Sequence, residues 1–183
     1  TALGCSDTSS TTVVVNAHPD ATISSNDALC NNTNTGIATA NPVGGAAPFT
    51  YQWDANTNNQ TTQIATGLGA GSYMVTIVDN NGCFDTASTI INEPTALTAS
   101  VTVTNVTCNG GNDGTATVTP VGGTPPYSFT WSNGATTSTS TGWFAGFCGV
   151  TVTDNNGCTT TASTTITEPS AISFTVSNTD ASC

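Results

Sequence analysis

Short stretches of this chain alternate between apolar and polar residues, as half-buried β-strands do. The alternation occurs at positions 49–53, 73–77, 115–119, 127–131 and 150–153. Thr and Val dominate these stretches because β-branched side chains fit a pleated surface that is buried on one side. Glycine pairs and Asn-Gly steps separate the stretches, where turns need residues with positive φ. No segment favours a helix, so the pattern predicts an all-β protein.

Two of the predicted strands carry aromatic residues at every second position. The rows are Phe49, Tyr51 and Trp53, and Tyr127, Phe129 and Trp131. Alternate residues of a strand share one face, so each row can fill the space between two packed sheets. We expect both rows to lie in the core of a β-sandwich. The alternative is an exposed aromatic strip that stacks against sugars.

The sequence also repeats itself along most of its length. Residues 30–36 and 42–53 match residues 108–114 and 120–131, and residues 79–83 and 93–94 match residues 154–158 and 168–169. Residues 1–30 repeat only the last part of a unit. We therefore expect a partial repeat at 1–30, whose strand segment is a candidate donor strand, followed by β-sandwich repeats at 31–108 and 109–183. Such a period is typical of linear arrays.

Charge narrows the classes of partner. The 183 residues include no Lys or Arg, eleven Asp and Glu and one His, giving a formal charge of −11. A chain without cationic side chains cannot neutralise phosphates, which excludes nucleic acid as an expected partner. No apolar run reaches the roughly 18 to 20 residues of a membrane span, so we expect no membrane insertion. The chain begins Thr-Ala-Leu, which favours a processed product or a fragment.

Candidate catalytic residues are scarce. The one histidine, His18, lies in the partial repeat and precedes Pro19, where a surface loop is the simpler expectation than a proton shuttle. The acidic residues recur at equivalent turn positions, so we expect no enzyme, no catalytic residue and no cofactor. Oxygen-rich segments at 79–81, 112–113 and 154–156 leave Ca²⁺ as an alternative, although Asx turns explain the same residues.

Seven cysteines without a C-x-x-C motif favour disulfides over a zinc site, and disulfides favour a compartment outside the reducing cytosol. Three pairs are each 25 residues apart: Cys5 with Cys30, Cys83 with Cys108, and Cys158 with Cys183. A rival scheme pairs Cys30 with Cys83 and Cys108 with Cys158, which leaves the terminal cysteines for neighbouring subunits. We favour the first scheme, because strands that flank residues 95–96 could fold back as a hairpin.

Four motifs occur in order in the second copy: C-N-G-G-N-D-G, G-G-T-P-P-Y-S-F-T-W, V-T-V-T-D-N-N-G-C and I-T-E-P. Together they resemble the SprB-type repeat of large surface adhesins in gliding Bacteroidota. The resemblance implies tandem immunoglobulin-like β-sandwiches, similar also to PKD-type modules, in an extracellular or cell-surface protein. It implies no catalysis.

One segment departs from the resemblance. At 142–148 the second copy places Cys148 where the first has Tyr73, and it adds the apolar residues Trp143, Phe144 and Phe147. An exposed apolar patch at a turn often marks a contact surface, so these three are interface candidates between modules or subunits. The alternative is local repacking around the smaller Cys148.

Covalent glycans are the last expected partner. Asp85-Thr86-Ala87 resembles the O-glycan acceptor motif of Bacteroidota, and Thr8 lies in a looser match. Asparagines followed by x-Thr occur at Asn31, Asn59 and Asn105.

These features predict a structural subunit or stalk segment of an extracellular filament or cell-surface adhesin. Disulfide-closed β-sandwich repeats would stack end to end, with copies of the same chain as partners and with strand exchange between subunits. The alternative function is a carbohydrate-binding adhesion module that uses exposed aromatic residues.

Overall fold

The computed structural model describes Gly4 and residues 7–178. The chain forms two compact units. The first contains the residues up to Ala28 together with Asn34–Asn92, and the second contains Leu29–Thr33 together with the residues from Glu93 onward. The short segment Leu29–Thr33 thus belongs to the second unit, although it lies between two strands of the first in sequence.

The first unit is a sandwich of two three-stranded antiparallel sheets. One sheet has the strand order β1-β2-β4 and the other has β3-β5-β6, with a 3₁₀ turn at Ala55–Thr57. The strands are β1 (Pro19–Asn26), β2 (Gly36–Gly44), β3 (Thr50–Trp53), β4 (Ile64–Leu68), β5 (Gly71–Val78) and β6 (Phe84–Ile91).

The second unit repeats this arrangement, with sheets β7-β8-β10 and β9-β11-β12. Its strands are β7 (Thr98–Thr104), β8 (Gly114–Val121), β9 (Ser128–Trp131), β10 (Thr139–Trp143), β11 (Gly146–Thr153) and β12 (Thr159–Ile166). The predicted all-β fold of tandem β-sandwich modules is confirmed.

Each core is formed by side chains that point inward from both sheets. Trp53 and Trp131 are 1% and 2% exposed, and the other four aromatic residues of the two rows are partly buried against the same clusters. Each buried indole N–H has a partner, because Trp53 donates to the Thr62 carbonyl at 2.9 Å and Trp131 donates to the Thr137 carbonyl at 2.8 Å. The aromatic rows therefore face inward, as the alternation predicts.

The module boundaries differ from those expected from the repeat alignment. Strand β1 pairs with β2 over Pro19–Asn26, and β7 pairs with β8 over Thr98–Thr104. Each module therefore begins with a strand that the alignment had assigned to the preceding segment, before the expected boundaries at residues 31 and 109. Both expected boundaries fall in a loop between two paired strands, β1 and β2 in the first module and β7 and β8 in the second. Backbone pairing, and not the spacing of motifs, defines the compact unit.

Gly122 shows why glycine occupies the turn after β8. Its φ is +78°, and an added Cβ would lie 2.1 Å from the carbonyl oxygen of Ala96. Any side chain would clash with this backbone, so only glycine permits the close approach.

Candidate functional site

The turn between β11 and β12 is organised around the carboxylate of Asp154, which is 5% exposed. Its Oδ1 accepts backbone N–H groups from Asn156 at 2.9 Å and Cys158 at 2.8 Å, and its Oδ2 accepts from Thr124 at 2.9 Å. Burial alone would raise the pKa of Asp154, but the backbone donors outweigh it and hold this pKa below its ordinary value. The turn therefore presents Cys158 on a backbone that a charged group fixes.

The first unit builds the same turn between β5 and β6. Asp79 is 5% exposed, and its carboxylate accepts N–H groups from Asn81 and Cys83, each at 2.9 Å, and from Ala46 at 3.0 Å. Burial raises the pKa of Asp79 and the backbone donors lower it by more. Cys83 is thus presented in the same way as Cys158, and we call these two structures the Asp–Cys turns.

A second repeated set of hydrogen bonds holds the loops that follow β1 and β7. Glu93 accepts hydrogen bonds from the Asn31 side chain at 2.9 Å and from the Asn32 backbone at 2.6 Å. The Asn31 amide also donates to the Pro94 carbonyl at 3.1 Å. These contacts fix the loop that carries Cys30.

The equivalent contacts hold the loop that carries Cys108. Glu168 accepts from the Asn109 side chain at 3.1 Å and from the Gly110 backbone at 2.7 Å, and Asn109 also donates to the Pro169 carbonyl at 3.1 Å. We call these two structures the Cys-Asn loops. Sequence reasoning missed this clamp, although the paired recurrence of C-N and E-P was the available signal.

The structure contains a disulfide between the first Cys-Asn loop and the second Asp–Cys turn. Cys30 and Cys158 are bonded with their Cα atoms 5.7 Å apart and 128 residues apart in sequence, both within the second unit. The Asn156 side chain donates to the Leu29 carbonyl at 2.9 Å, which ties the same loop to the turn a second time.

This bond corrects both expected pairing schemes, since neither pairs Cys30 with Cys158. Cys83 and Cys108, which the favoured scheme had joined, are both free thiols. The physical reason is that the segment Leu29–Thr33 belongs to the second unit, so its cysteine meets a turn far away in sequence. The expected partners Cys5 and Cys183 lie outside the described residues.

Among the described residues, three cysteines are free, and their environments differ. Cys108 is exposed and Cys83 is half-buried, whereas Cys148 is fully buried in the second core. Burial raises the pKa of the Cys148 thiol, which keeps it protonated and unreactive.

The three interface candidates do not act together. Trp143 is 7% exposed and packs edge-on against Trp131 with their ring centroids 6.0 Å apart, while its indole N–H donates to the Ser140 hydroxyl at 3.0 Å. It is a core residue, so the interface expectation for Trp143 is wrong and the repacking alternative holds there. Phe144 and Phe147 are exposed and remain candidates.

Phe147 borders a groove on the sheet β9-β11-β12. The groove has a volume of about 460 Å³ and is lined by hydroxyl side chains that include Thr130, Thr151 and Thr161. The ring of Phe147 lies over Gly149, where an added Cβ would come within 2.8 Å of it. The exposed ring of Phe147 and several hydroxyl groups therefore share this surface with the buried Trp131.

The glycosylation candidates lie in different environments. Thr8, Thr86, Asn59 and Asn105 are exposed, which an acceptor requires. Asn31 is partly buried, and its side-chain nitrogen already donates to Glu93 and Pro94. An N-linked sugar would replace one of the two hydrogens on this nitrogen. Attachment at Asn31 would therefore break one of the hydrogen bonds that hold its loop.

The residue types that ligate metals are not clustered in the described part of the chain. His18 is exposed. Over Gly4 and residues 7–178, no group of three or more His, Cys, Asp or Glu residues is placed to hold a metal ion. In the same residues, no helix is long and apolar enough to span a membrane.

Structural comparison finds multidomain proteins with low sequence identity. A Dscam chain is 13% identical with a TM-score of 0.36 over 83% of this chain and 47% of its own length. A C-terminal fragment of intimin is 15% identical with a TM-score of 0.38 over 82% of this chain and 64% of the fragment. Murine CEACAM1b is 13% identical with a TM-score of 0.33 over 84% of this chain and 100% of its own. This chain thus spans about half of the Dscam chain and under two thirds of the intimin fragment. The comparison with curated proteins finds no match.

The comparison with family models identifies the repeat. The model described as SprB repeat matches residues 22–58 and residues 100–136. The first match runs from β1 through the 3₁₀ turn, and the second starts within β7 and includes β8 and β9. Both modules are β-sandwiches, and the chain carries two tandem matches to the SprB repeat model, one in each module.

Proposed function

We propose that this chain is a non-enzymatic structural segment of an extracellular filament or cell-surface adhesin, in which SprB modules stack end to end and exchange strands between copies. Two observations support its structural character: both cores are filled by the aromatic rows, and the ordered carboxylates serve to fix turns and loops. The absence of Lys and Arg also removes every trypsin site, which suits a protein that persists outside the cell.

The observation that carries the proposal is the segment at residues 170–177. It follows Glu168-Pro169 as β7 follows Glu93-Pro94, so Ile172, Phe174 and Val176 correspond to Leu97, Ala99 and Val101. In the second unit those three β7-side residues pack against the core, whereas Ile172, Phe174 and Val176 are 97%, 86% and 76% exposed. The segment thus has the inward pattern of a module's first strand but forms no strand among the described residues.

The N-terminal segment shows the complementary feature. Residues 5–13 align with residues 83–91, which include β6, the last strand of the first module. Val13 corresponds to the buried Ile91, yet Val13 and the following Val14 and Val15 are exposed. The donor-strand expectation for 1–30 therefore applies to the part that precedes β1, because β1 itself is paired within the first unit.

Exposed apolar strands favour pairing with another chain, because an unpaired strand carries both free backbone groups and an uncovered apolar face. In the proposed assembly the segment 170–177 pairs with a strand of another copy. Glycans at Thr86 would shield β6 from unspecific edge-to-edge pairing with other strands.

Electron microscopy of the purified chain tests the proposal. We expect filaments with a regular axial repeat from the full chain, and isolated rods from a variant with Ile172→Ser, Phe174→Ser and Val176→Ser. The matched control changes the other face of the same segment, with Ser173→Thr, Thr175→Ser and Ser177→Thr, and should still assemble. Deletion of residues 1–16, which spares β1, tests the N-terminal donor separately.

Two outcomes would contradict the proposal. Isolated rods from the full chain at every concentration would refute end-to-end stacking. Filaments from the triple-serine variant equal to those of the full chain would refute strand exchange through this segment.

Carbohydrate binding is the second candidate function, and one observation favours it. The aromatic rows face the two cores and form no exposed strip, but the groove beside Phe147 combines an exposed ring with hydroxyl groups. If the groove binds polysaccharide, Phe147→Ala should abolish retention on a glycan array, while Phe144→Ala should leave it unchanged.

A further inference from the structure

Cys30 and Cys158 are bonded between a Cys-Asn loop and an Asp–Cys turn, and Gly4 and residues 7–178 contain one more copy of each structure. The second Cys-Asn loop carries Cys108, and the first Asp–Cys turn carries Cys83. Both cysteines are free. The described residues thus hold one completed junction and the two separate halves of another.

The free loop is built like the bonded loop. Around Cys108, Glu168 accepts two hydrogen bonds at 3.1 and 2.7 Å, against 2.9 and 2.6 Å for Glu93 around Cys30. The contact from the loop asparagine to the proline carbonyl is 3.1 Å in both loops. The loop around Cys108 is therefore held by the same contacts as the loop around the bonded Cys30, although Cys108 is exposed and has no disulfide partner.

The free turn is likewise built like the bonded turn. Asp79 accepts the Cys83 N–H at 2.9 Å, and Asp154 accepts the Cys158 N–H at 2.8 Å. In the completed junction Asn156 donates to the Leu29 carbonyl. Its repeat equivalent is Asn81, which is exposed beside Cys83 and is free to make the same contact.

The two halves cannot complete each other by the rule that the bonded pair follows. In sequence, the bonded Cys-Asn loop lies between the first two strands of the earlier repeat, although its residues belong to the second unit, and the Asp–Cys turn lies between the last two strands of the later repeat. Cys108 belongs to the later repeat and Cys83 to the earlier one, which reverses the order. A second copy placed after the first restores the order, because its Cys83 then follows the first copy's Cys108.

We propose that Cys108 of one copy forms a disulfide with Cys83 of a second copy, so that the Cys30–Cys158 junction is repeated along an assembly. The inference rests on the end-to-end stacking proposed above and names its covalent contact. Asn81 of the second copy then donates to the Thr107 carbonyl of the first, as Asn156 does to Leu29.

The bond requires an oxidant, and a low-molecular-weight disulfide supplies it. The Cys83 thiol loses its proton, and its thiolate attacks that disulfide, releases one thiol and forms a mixed disulfide. The Cys108 thiolate then attacks the Cys83 sulfur and releases the second small thiol. The two protein thiols lose two electrons and two protons in total, and the small disulfide gains them.

Non-reducing electrophoresis after incubation with oxidised glutathione tests the proposal. The full chain would carry Cys5→Ser and Cys183→Ser, so that the terminal cysteines cannot compete. We expect a ladder of covalent oligomers that collapses on reduction. Adding Cys148→Ser is the matched control, and it should leave the ladder unchanged because this thiol is buried.

Single variants and their mixture identify the pairing. On the non-reducing gel, Cys83→Ser alone and Cys108→Ser alone should each run as a monomer, because each variant lacks one of the two cysteines of the junction. An equal mixture of the two should give dimers and no higher oligomers, since one partner supplies Cys108 and the other supplies Cys83. Asn81→Ala should slow ladder formation without abolishing it. Mass spectrometry after cleavage at aromatic residues should find the Cys83 and Cys108 peptides joined.

Specific results would overturn the inference. Dimers from either single variant alone would show symmetric pairing, and thiols that stay free while filaments form would show that stacking needs no such bond. If the thiols stay free and filaments also form in the presence of a reductant, the disulfide is refuted and the proposed stacking function still holds. Absence of both filaments and ladder would refute the stacking on which the inference depends.

Discussion

Removal of the Cys30–Cys158 disulfide should strongly destabilise the second unit. The bonded cysteines are separated by 128 residues, and the loop-entropy relation gives about 5 kcal/mol for a loop of this length. Residues 34–92 of that loop belong to the first unit, and a second figure follows if this unit stays folded while the second unfolds. Excluding them shortens the flexible loop and lowers the figure to about 4 kcal/mol. The variant Cys30→Ser/Cys158→Ser is therefore expected to lose about 4 to 5 kcal/mol.

Tryptophan fluorescence can measure this loss in the affected unit. Trp131 and Trp143 lie in the second core, so a Trp53→Phe background removes the signal of the first unit. At about 4 to 8 °C per kcal/mol for a module of this size, we expect the Tm of the second unit to fall by at least about 15 °C. The matched control, Cys83→Ser/Cys108→Ser, removes two thiols without removing a bond and should unfold like the parent as a monomer. Equal Tm values for the two double variants would refute the argument, as would a parent protein whose Tm is insensitive to reductant.

Three further predictions concern the turns and the second core. Backbone donors hold the pKa values of Asp79 and Asp154 below their ordinary value, so the unfolded chain takes up these protons first as the pH falls. Stability should therefore be level above about pH 5 and should decline below about pH 4. The variant Asp154→Asn should flatten this decline in the second unit. If the Tm of this variant fell as steeply in acid as the Tm of the parent, the role of the turn would be contradicted. Trp143→Ala should cost about 3 to 5 kcal/mol in urea unfolding, against less than about 0.5 kcal/mol for the exposed Phe144→Ala, and similar losses would mean that Trp143 is not buried. Cys148→Tyr alone should cost about 1 to 3 kcal/mol by overpacking, and adding Trp143→Leu should recover most of it because the first unit has this pair; additive losses would exclude that compensation.

The Trp143 position shows how one core is packed in two ways. In the first unit, the core space equivalent to Trp143 and Cys148 is filled by Leu68 and Tyr73. The Tyr73 hydroxyl donates to the Gly69 carbonyl at 3.0 Å. The second unit has Trp143 and Cys148 at the equivalent positions, a larger residue beside a smaller one. Alignment showed Cys148 as a departure and Trp143 as extra apolar bulk. Only the packing shows that the two changes compensate, because cores require a filled volume and not a fixed residue.

Local periodicity predicted five of the strands, β3, β5, β8, β9 and β11, and did not single out the others. Alternation along β5, β9 and β11 determined which side chains point inward, because successive residues of a strand face opposite sides. The recurrence of Asp79 and Asp154 in Asn-rich turns likewise predicted Asx turns, and the carboxylates accept backbone N–H groups from their own turns. Such features depend on neighbours only a few residues away.

By itself, then, the amino-acid sequence determined the alternating strands β3, β5, β8, β9 and β11, the two aromatic cores and the repeat, since each is set by local spacing of residue types. The tertiary structure alone decided where the modules begin and which cysteines meet. Cys30 pairs with Cys158 because the loop after β1 belongs to the second unit, and residues 128 positions apart become neighbours only through the path of the folded chain. Spacing in sequence has no bearing on such a distance, because long-range contacts depend on how whole sheets pack.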